Sequence, residues 1–70
     1  MNRQPVTSTN IASIGYDPQT RTLEIEFRNC RVYQYSDVPE ATATALLNAA
    51  SHGQYFNLYV KDRYSARRIV

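Results

Sequence analysis

Hydrophobic and polar residues alternate most clearly in the stretch TLEIEF, residues 22–27. Its three apolar side chains fall on one side of an extended chain and its two glutamates fall on the other, which predicts a β-strand with one buried face. The stretches TNIASIGY (9–16) and RVYQYS (31–36) predict a strand before it and a strand after it. DPQT (17–20) is typical of a type I turn. The pattern therefore predicts a three-stranded antiparallel meander.

Two short helices are predicted after the strands. Residues 39–50 carry small and apolar side chains at helical spacing, namely Ala43, Leu46, Leu47 and Ala50. Ser51 and Gln54 fit the capping box that begins a helix. The second helix then has an apolar stripe formed by Phe56, Tyr59, Val60 and Tyr64. We expect both helices to cover one face of the sheet, which gives an α+β layer pair.

The ends of the chain carry weaker signals. Nothing periodic begins before residue 8, so residues 1–7 are predicted to be a flexible N-terminal arm and residues 8–70 a single domain. The tail SARRIV, residues 65–70, could dock back on the meander as a short C-terminal edge strand. Gly15, inside the first strand, indicates a bulge or a close approach of another backbone.

The turn between the second and third strands decides which face Tyr33 and Tyr35 occupy. A two-residue loop at 29–30 would pair them with the glutamates on the outer face of the sheet. A three-residue loop at 28–30 would pair them with Ile25 and Leu23 in the core, because a shift of one residue reverses every side chain. The hydrophobic pattern favours the longer loop, a type I turn followed by a left-handed residue.

The composition excludes several classes of protein. A chain of 70 residues with one Cys forms a single small domain without an internal disulfide. The stretch MNRQPVTSTN lacks the apolar run of a secretory signal, and no stretch reaches membrane-spanning length. We expect a soluble cytoplasmic protein that does not associate with membranes.

Catalytic chemistry finds little support in the sequence. Cys30 and His52 are the only candidates for nucleophilic catalysis, and the pattern places Cys30 at a hairpin tip and His52 at a helix junction. One His and one Cys do not form a metal site, and Gly15 and Gly53 do not form a phosphate loop. We expect a protein that is not an enzyme and that uses neither a metal nor a cofactor.

Positive charge is concentrated in the last ten residues, where four cations face one carboxylate. These cations alternate with tyrosines, and cations beside aromatic rings can bind the phosphates and unpaired bases of a nucleic acid. A basic tail that only aids solubility, or that favours a helix dipole, explains the same pattern equally well. The candidate binding residues are Lys61, Arg63, Arg67 and Arg68, with Arg31 on the same side and Tyr59 or Tyr64 as a stacking surface.

Several short motifs, taken in order, resemble the KTSC domain family. The stretches are IGYD, LEIEF, VYQY, VP and SHGQYFNLYV, and the resemblance runs from about Val6 to Ile69. The residues that match the family motifs are Tyr33, Tyr35, Val38, Pro39, Ser51, Gly53, Tyr55, Phe56 and Asn57. At the hairpin turn, Cys30 stands where the family usually has Gly, so a left-handed turn there would be strained.

The resemblance implies a context more than an activity. KTSC domains occur at the C-terminus of some lysine-tRNA synthetases and as stand-alone small proteins of bacteria and phages. The function of the family is not established, and RNA binding is suggested by this association alone. We therefore expect a small non-enzymatic module that binds structured or tRNA-like RNA through its basic C-terminal segment. The alternative is a protein-interaction module, which could pair with itself through an exposed sheet edge or through unburied tyrosine rings.

Overall fold

An antiparallel sheet of five strands forms the framework of the protein in a computed structural model, which describes residues 1–70. The strands follow one another across the sheet in chain order, and two helices lie between the fourth and the fifth. None of the helices has the length and apolar character that a membrane span requires. The elements are β1 (Gln4–Pro5), β2 (Ile11–Asp17), β3 (Thr22–Phe27), β4 (Val32–Tyr35), α1 (Glu40–Leu47), α2 (His52–Tyr59) and β5 (Ala66–Arg68).

The hairpin between β3 and β4 has the longer of the two loops considered above. Ile25 pairs with Tyr33, and the Phe27 amide donates to the Arg31 carbonyl at 2.9 Å, which leaves a loop of three residues. The last of these, Cys30, has φ 70° and is left-handed. The prediction of a three-residue loop, with Tyr33 and Tyr35 on the core face, is therefore confirmed.

The predicted number of strands was wrong, because both ends of the chain add an edge strand to the meander. In the segment predicted to be a flexible arm, β1 pairs with β2 and places Gln4 opposite Ile14. The tail pairs with β4 as β5, which confirms the C-terminal edge strand. Neither edge strand alternates hydrophobic and polar residues. Backbone pairing with a neighbour that is already in place stabilises them instead.

Both helices bury residues in one core on a single face of the sheet. Ala43 and Leu46 of α1 and Phe56 of α2 pack in one cluster with side chains of the meander such as Ile14 and Ile25. Ser51 caps α2 by accepting a hydrogen bond from the Gln54 amide at 3.2 Å, as the capping box predicts. The predicted stripe on α2 was wrong at Tyr59, whose side chain is exposed.

The opposite face of the sheet carries a network of polar contacts, formed by side chains of β2, β3, β4 and β5 and by Arg3, which directly precedes β1. Glu24, at the centre, pairs with the guanidinium of Arg3 and accepts from the Gln34 amide at 2.9 Å. Arg3 also donates to Ser13 at 3.0 Å, and Arg67 donates to Gln34 at 3.1 Å. Ser13 and Glu24 are almost fully buried, although they lie on the face away from the helices. These contacts satisfy polar groups that would otherwise be costly to bury.

Gly15 lies beneath the N-terminal residues that cover this polar face. A Cβ atom added at Gly15 would lie 2.8 Å from the Asn2 carbonyl oxygen and 3.0 Å from Arg3 Cγ. Its φ is not positive, so space, and not backbone conformation, requires glycine here. The close backbone approach predicted from this glycine is confirmed.

Candidate functional site

An open groove of about 650 Å³ lies on the helical side of the sheet. The β3–β4 hairpin and the start of β2 form one wall, and α2 with the segment after it forms the other. Five aromatic side chains line the groove, and three of them belong to the meander. These five are Phe27, Tyr33, Tyr35, Phe56 and Tyr64.

Four of the rings form a single cluster at the base of the groove. Phe27 meets Tyr33 edge to face at a centroid distance of 5.8 Å, and Phe56 meets Phe27 at 5.5 Å and Tyr35 at 5.6 Å. Tyr35 and Phe56 are buried, while Phe27 and Tyr33 are partly exposed to the groove. The arrangement is typical of a rigid aromatic core in which some rings remain accessible to a ligand.

Polar side chains form the rim of the groove. Asn57, Lys61 and Asp62 are exposed, and none of their side chains makes a hydrogen bond or ion pair within the protein. Arg28 also lines the groove, but its guanidinium donates to the carbonyls of Val6 and Ser8, both at 3.1 Å. The rim therefore offers one free amide, one free ammonium and one free carboxylate to a ligand.

The phenol of Tyr35 is held in its neutral form. Burial, together with the nearby Tyr33 and the charge of Asp62, raises the pKa of Tyr35 to about 12. A phenol with such a pKa keeps its proton at neutral pH, so it remains a hydrogen-bond donor as well as an acceptor.

The structure separates the predicted binding residues into three groups. Lys61 and Tyr64 line the groove. Arg31 and Arg68 form a second group beside residues that line the groove. Arg68 lies opposite Tyr33 in the sheet, so the two side chains share one face, and the Arg68 guanidinium donates to the Val70 carbonyl at 2.8 Å. Arg31 lies just before β4, where its carbonyl accepts from the Phe27 amide at 2.9 Å. The third group lies outside the groove and consists of Arg63, Arg67 and Tyr59.

The neighbouring cations Arg67 and Arg68 were predicted to act together, and the structure places them on opposite faces of β5. Arg67 pairs with Gln34 and belongs to the polar network on the outer face. Tyr59 packs against Tyr55 at a centroid distance of 4.6 Å, on the part of α2 away from the groove. The cations of the tail therefore do not form a single basic surface, since successive residues of a strand face opposite sides of the sheet.

Several groove residues were missed by sequence reasoning because they come from distant loops. Asn10 and Arg28 are brought together by a backbone hydrogen bond of 2.8 Å from the Arg28 amide to the Asn10 carbonyl. Phe27 was predicted to be core alone, and Asp62 was counted only as a charge opposing the cations. No local motif marks these residues. Only the predicted pairing of β2 with β3 could have indicated that Asn10 and Arg28 are close.

The residues matching the family motifs lie mainly in the groove. Tyr33, Tyr35, Gly53, Phe56 and Asn57 all line it. Ser51 instead caps α2. The family motif therefore includes groove residues as well as core residues, since Asn57 is exposed and does not pack in the core.

Cys30 and His52 remain on separate elements. Cys30 is exposed at the hairpin tip, and His52 makes a 2.9 Å hydrogen bond from Nδ1 to the Leu46 carbonyl, which joins the start of α2 to the end of α1. His52 lines a shallow second pocket of ten residues that does not include Cys30. The role of His52 in this contact is to connect the two helices.

The fold and the groove define a class of protein, a small α+β domain with an aromatic groove between a hairpin and a helix. The profile of the KTSC domain family matches residues 7–64. The protein belongs to the KTSC domain family. A crystal structure of a KTSC domain protein from Yersinia pestis superimposes with a TM-score of 0.96 at 45% sequence identity, covering 99% of this chain and 97% of that one.

Sequence relatives are of two kinds. An uncharacterized protein of Stutzerimonas stutzeri (strain A1501) is 39% identical over 64 residues, which are 91% of this chain and 90% of that protein. A lysine–tRNA ligase of Nostoc punctiforme is 37% identical over 59 residues, which are 84% of this chain but 10% of the ligase. The domain therefore occurs both as most of a small protein and as a minor part of a large enzyme.

Proposed function

We propose that this domain binds RNA and holds an unpaired nucleotide in the aromatic groove. The observation that carries the proposal is the combination, in one open groove, of partly exposed rings with a free ammonium and a free amide. Bases stack on aromatic faces, and cations bind the phosphates between them. Tyr33 and Phe27 supply the exposed rings, and Lys61 supplies the charge at the rim.

Charge around the groove favours a polyanion on this face. Arg68 adds a cation on the side of the sheet that carries Tyr33, and Arg31 adds another beside Phe27 in the β3–β4 hairpin. They lie beside the groove, where the phosphates of flanking nucleotides would pass. Arg67 and Arg63 lie outside it. The contact surface therefore combines the groove with one edge of the sheet and does not include the whole basic tail.

The ligase relatives support the choice of RNA over other polyanions. A segment of a lysine–tRNA ligase is 37% identical to most of this chain. The name of that enzyme gives tRNA as its substrate, so the related segment belongs to a protein that contacts RNA. We assign no catalytic step, metal or cofactor to the domain. Its role is to bind, and we expect it to act in the cytoplasm.

The proposal is tested by fluorescence anisotropy with labelled tRNA, single-stranded RNA and duplex DNA over a range of salt concentrations. We expect both RNAs to bind more tightly than the duplex. Arg68→Ala should weaken binding to every RNA and reduce the slope of log K against log salt by about 1. Arg67→Ala is the matched control, because it removes the same charge from the next residue of β5 on the opposite face.

Two results would contradict the proposal. Equal affinity for all three nucleic acids, lost at physiological salt, would indicate only nonspecific attraction between charges. Equal effects of the Arg67 and Arg68 substitutions would show that the side of the sheet is irrelevant, and the groove would no longer be the site.

A second candidate, self-association, is favoured by the exposed apolar residues of α2. The side chains of Leu58 and Tyr59 are 61% and 51% exposed. These two residues are adjacent on α2, and a second copy of the chain could remove their apolar surface from water, as happens where contiguous apolar surface forms an interface. Sedimentation at micromolar concentration tests this candidate, and a strictly monomeric protein would contradict it.

A further inference from the structure

Asp62 places a carboxylate without an ion-pair partner at the rim of the groove. Its neighbours in sequence are Lys61 and Arg63, yet its side chain makes neither an ion pair nor a hydrogen bond. Asp62 and Tyr35 both line the groove, and the charge of Asp62 is the smallest of the three causes that raise the pKa of the Tyr35 phenol. Asp62 has φ 63°, a left-handed conformation that aspartate and asparagine tolerate better than most residues.

A free carboxylate in a site for RNA restricts the base that can bind. An ionised carboxylate only accepts hydrogen bonds, and it repels phosphates and carbonyl oxygens. The Watson–Crick edge of guanine presents two adjacent donors, N1–H and the N2 amino group, which match the two oxygens of a carboxylate. Uracil presents one donor between two carbonyl oxygens. Adenine and cytosine each present an amino group beside a nitrogen acceptor.

We infer that the groove selects guanine, with the carboxylate of Asp62 accepting hydrogen bonds from N1–H and the N2 amino group. The partly exposed rings of Phe27 and Tyr33 provide the stacking surface, and the free amide of Asn57 provides a donor for a carbonyl of the base. This inference rests on the proposed function, because it names the base that the RNA site accepts. It assigns Asp62 to specificity, while the cations provide affinity.

The test measures the ratio of affinities between bases. The probes are labelled RNAs of about eight nucleotides, within the usual footprint of single-strand binding. Each is a run of uridines with one central G, A, C or inosine. The guanine probe should bind about 5- to 10-fold more tightly than all-uridine RNA, which is near the low end for a bidentate contact because Asp62 is exposed. Inosine lacks the N2 amino group and should bind between the two.

Asp62→Asn should change the two affinities in opposite directions. Losing the negative charge should strengthen binding of the all-uridine probe, while losing the second acceptor should weaken binding of the guanine probe. Asparagine also tolerates the left-handed backbone, so the variant should fold. Asp37→Asn is the matched control, because Asp37 has φ 60°, is exposed and lies outside the groove. It should leave the preference unchanged.

Each outcome supports or overturns the assignment. A guanine preference that Asp62→Asn abolishes and Asp37→Asn preserves supports it. Equal binding of all four bases, or a preference that survives Asp62→Asn, overturns the role of Asp62 but leaves RNA binding by the groove intact. Equal effects of both variants also overturn it, because they reveal a general charge effect. If no probe binds and tRNA does not bind either, the proposed function itself fails.

Discussion

Replacing Gly15 with alanine should displace the N-terminal residues from the polar face of the sheet. The added Cβ would lie 2.8 Å from the Asn2 carbonyl oxygen, below the 3.0 Å that Cβ contacts in real proteins essentially never pass. Backbone atoms cannot yield as a flexible side-chain end can. Residues 1–3 would therefore move away, and Arg3 would lose its contacts with Ser13 and Glu24.

The expected loss of stability follows from those contacts. The charged guanidinium of Arg3 is the donor in both contacts, and a hydrogen bond that involves a charged group contributes about 1.5–3 kcal/mol. The Arg3 side chain is 30% exposed, which weakens both. Alanine also restricts the unfolded chain, which returns about 0.4–1 kcal/mol. The net loss should be about 1–2 kcal/mol, a large part of the stability of a domain of this size.

Urea unfolding followed by circular dichroism measures this loss. A small domain has an m-value of about 1 kcal/mol per molar urea, so the midpoint should fall by about 1–2 M. Gly53→Ala is the control, because a Cβ there would lie 3.7 Å from the nearest atom, Asn10 Nδ2, in ordinary contact. Since Gly53 lies in the first turn of α2, where the propensity difference is smaller than in a helix interior, alanine should stabilise the domain slightly, by up to about 0.5 kcal/mol.

A chain that lacks residues 1–3 distinguishes this mechanism from a general intolerance of β2 to alanine. In the shortened chain the clash is absent, so Gly15→Ala should be neutral or slightly stabilising. An equal loss of stability in the full and the shortened chains would refute the reasoning. Steric conflict with the N-terminal residues would then not be the reason that glycine occupies this position.

Three further predictions concern stability. The folded pKa of Tyr35, about 12, lies above the unfolded value of 10.0, so its contribution is complete below pH 10 and declines as the pH rises towards 12. Urea unfolding measured across this pH range should show that the free energy of unfolding falls by about 1–2 kcal/mol, and Tyr35→Phe should remove that loss. If the free energy of unfolding fell equally steeply with pH in Tyr35→Phe, the assignment to Tyr35 would be wrong. Cys30→Gly should raise stability by about 0.5–1 kcal/mol in thermal unfolding, because Cys30 is left-handed at φ 70°, whereas Cys30→Ala should give no gain. Ser51→Ala should cost about 1 kcal/mol through the lost cap on the Gln54 amide, and Ser51→Asp should retain most of it; equal losses in the two variants would exclude the cap as the cause.

The elements with a periodic pattern were predictable from sequence, and the reason is physical. A slip of one residue between β3 and β4 would have exposed Tyr33 and Tyr35 and buried Gln34, so burial alone determines the register and the loop. The cap at Ser51 was predictable because it is a local contact: the Gln54 amide that donates to Ser51 lies only three residues away. The edge strands β1 and β5 follow no such pattern, because an existing neighbour provides their hydrogen bonds.

The groove was less predictable than the fold. Sequence reasoning grouped the cations of the tail by their proximity along the chain, but a strand sends Arg67 and Arg68 to opposite faces. It also treated Asp62 as a charge that merely offsets its neighbours. The role of such a residue depends on which aromatic rings the fold places next to it, and those rings come from a hairpin about thirty residues earlier in the sequence.

The late position of β5 has a consequence for the order in which the domain assembles. The hairpins that join β2, β3 and β4 close over short loops, whereas β5 pairs with β4 only after both helices have intervened. Contacts between residues near in sequence form fastest, so the meander can form before the wall from Lys61 to Ala66 closes against it. All three residues of β5 are exposed, and such edges are the first to open in the native state. Amide hydrogen exchange should therefore be slow in β3 and fast in β5, and the groove can widen for a ligand by local opening while the meander stays folded.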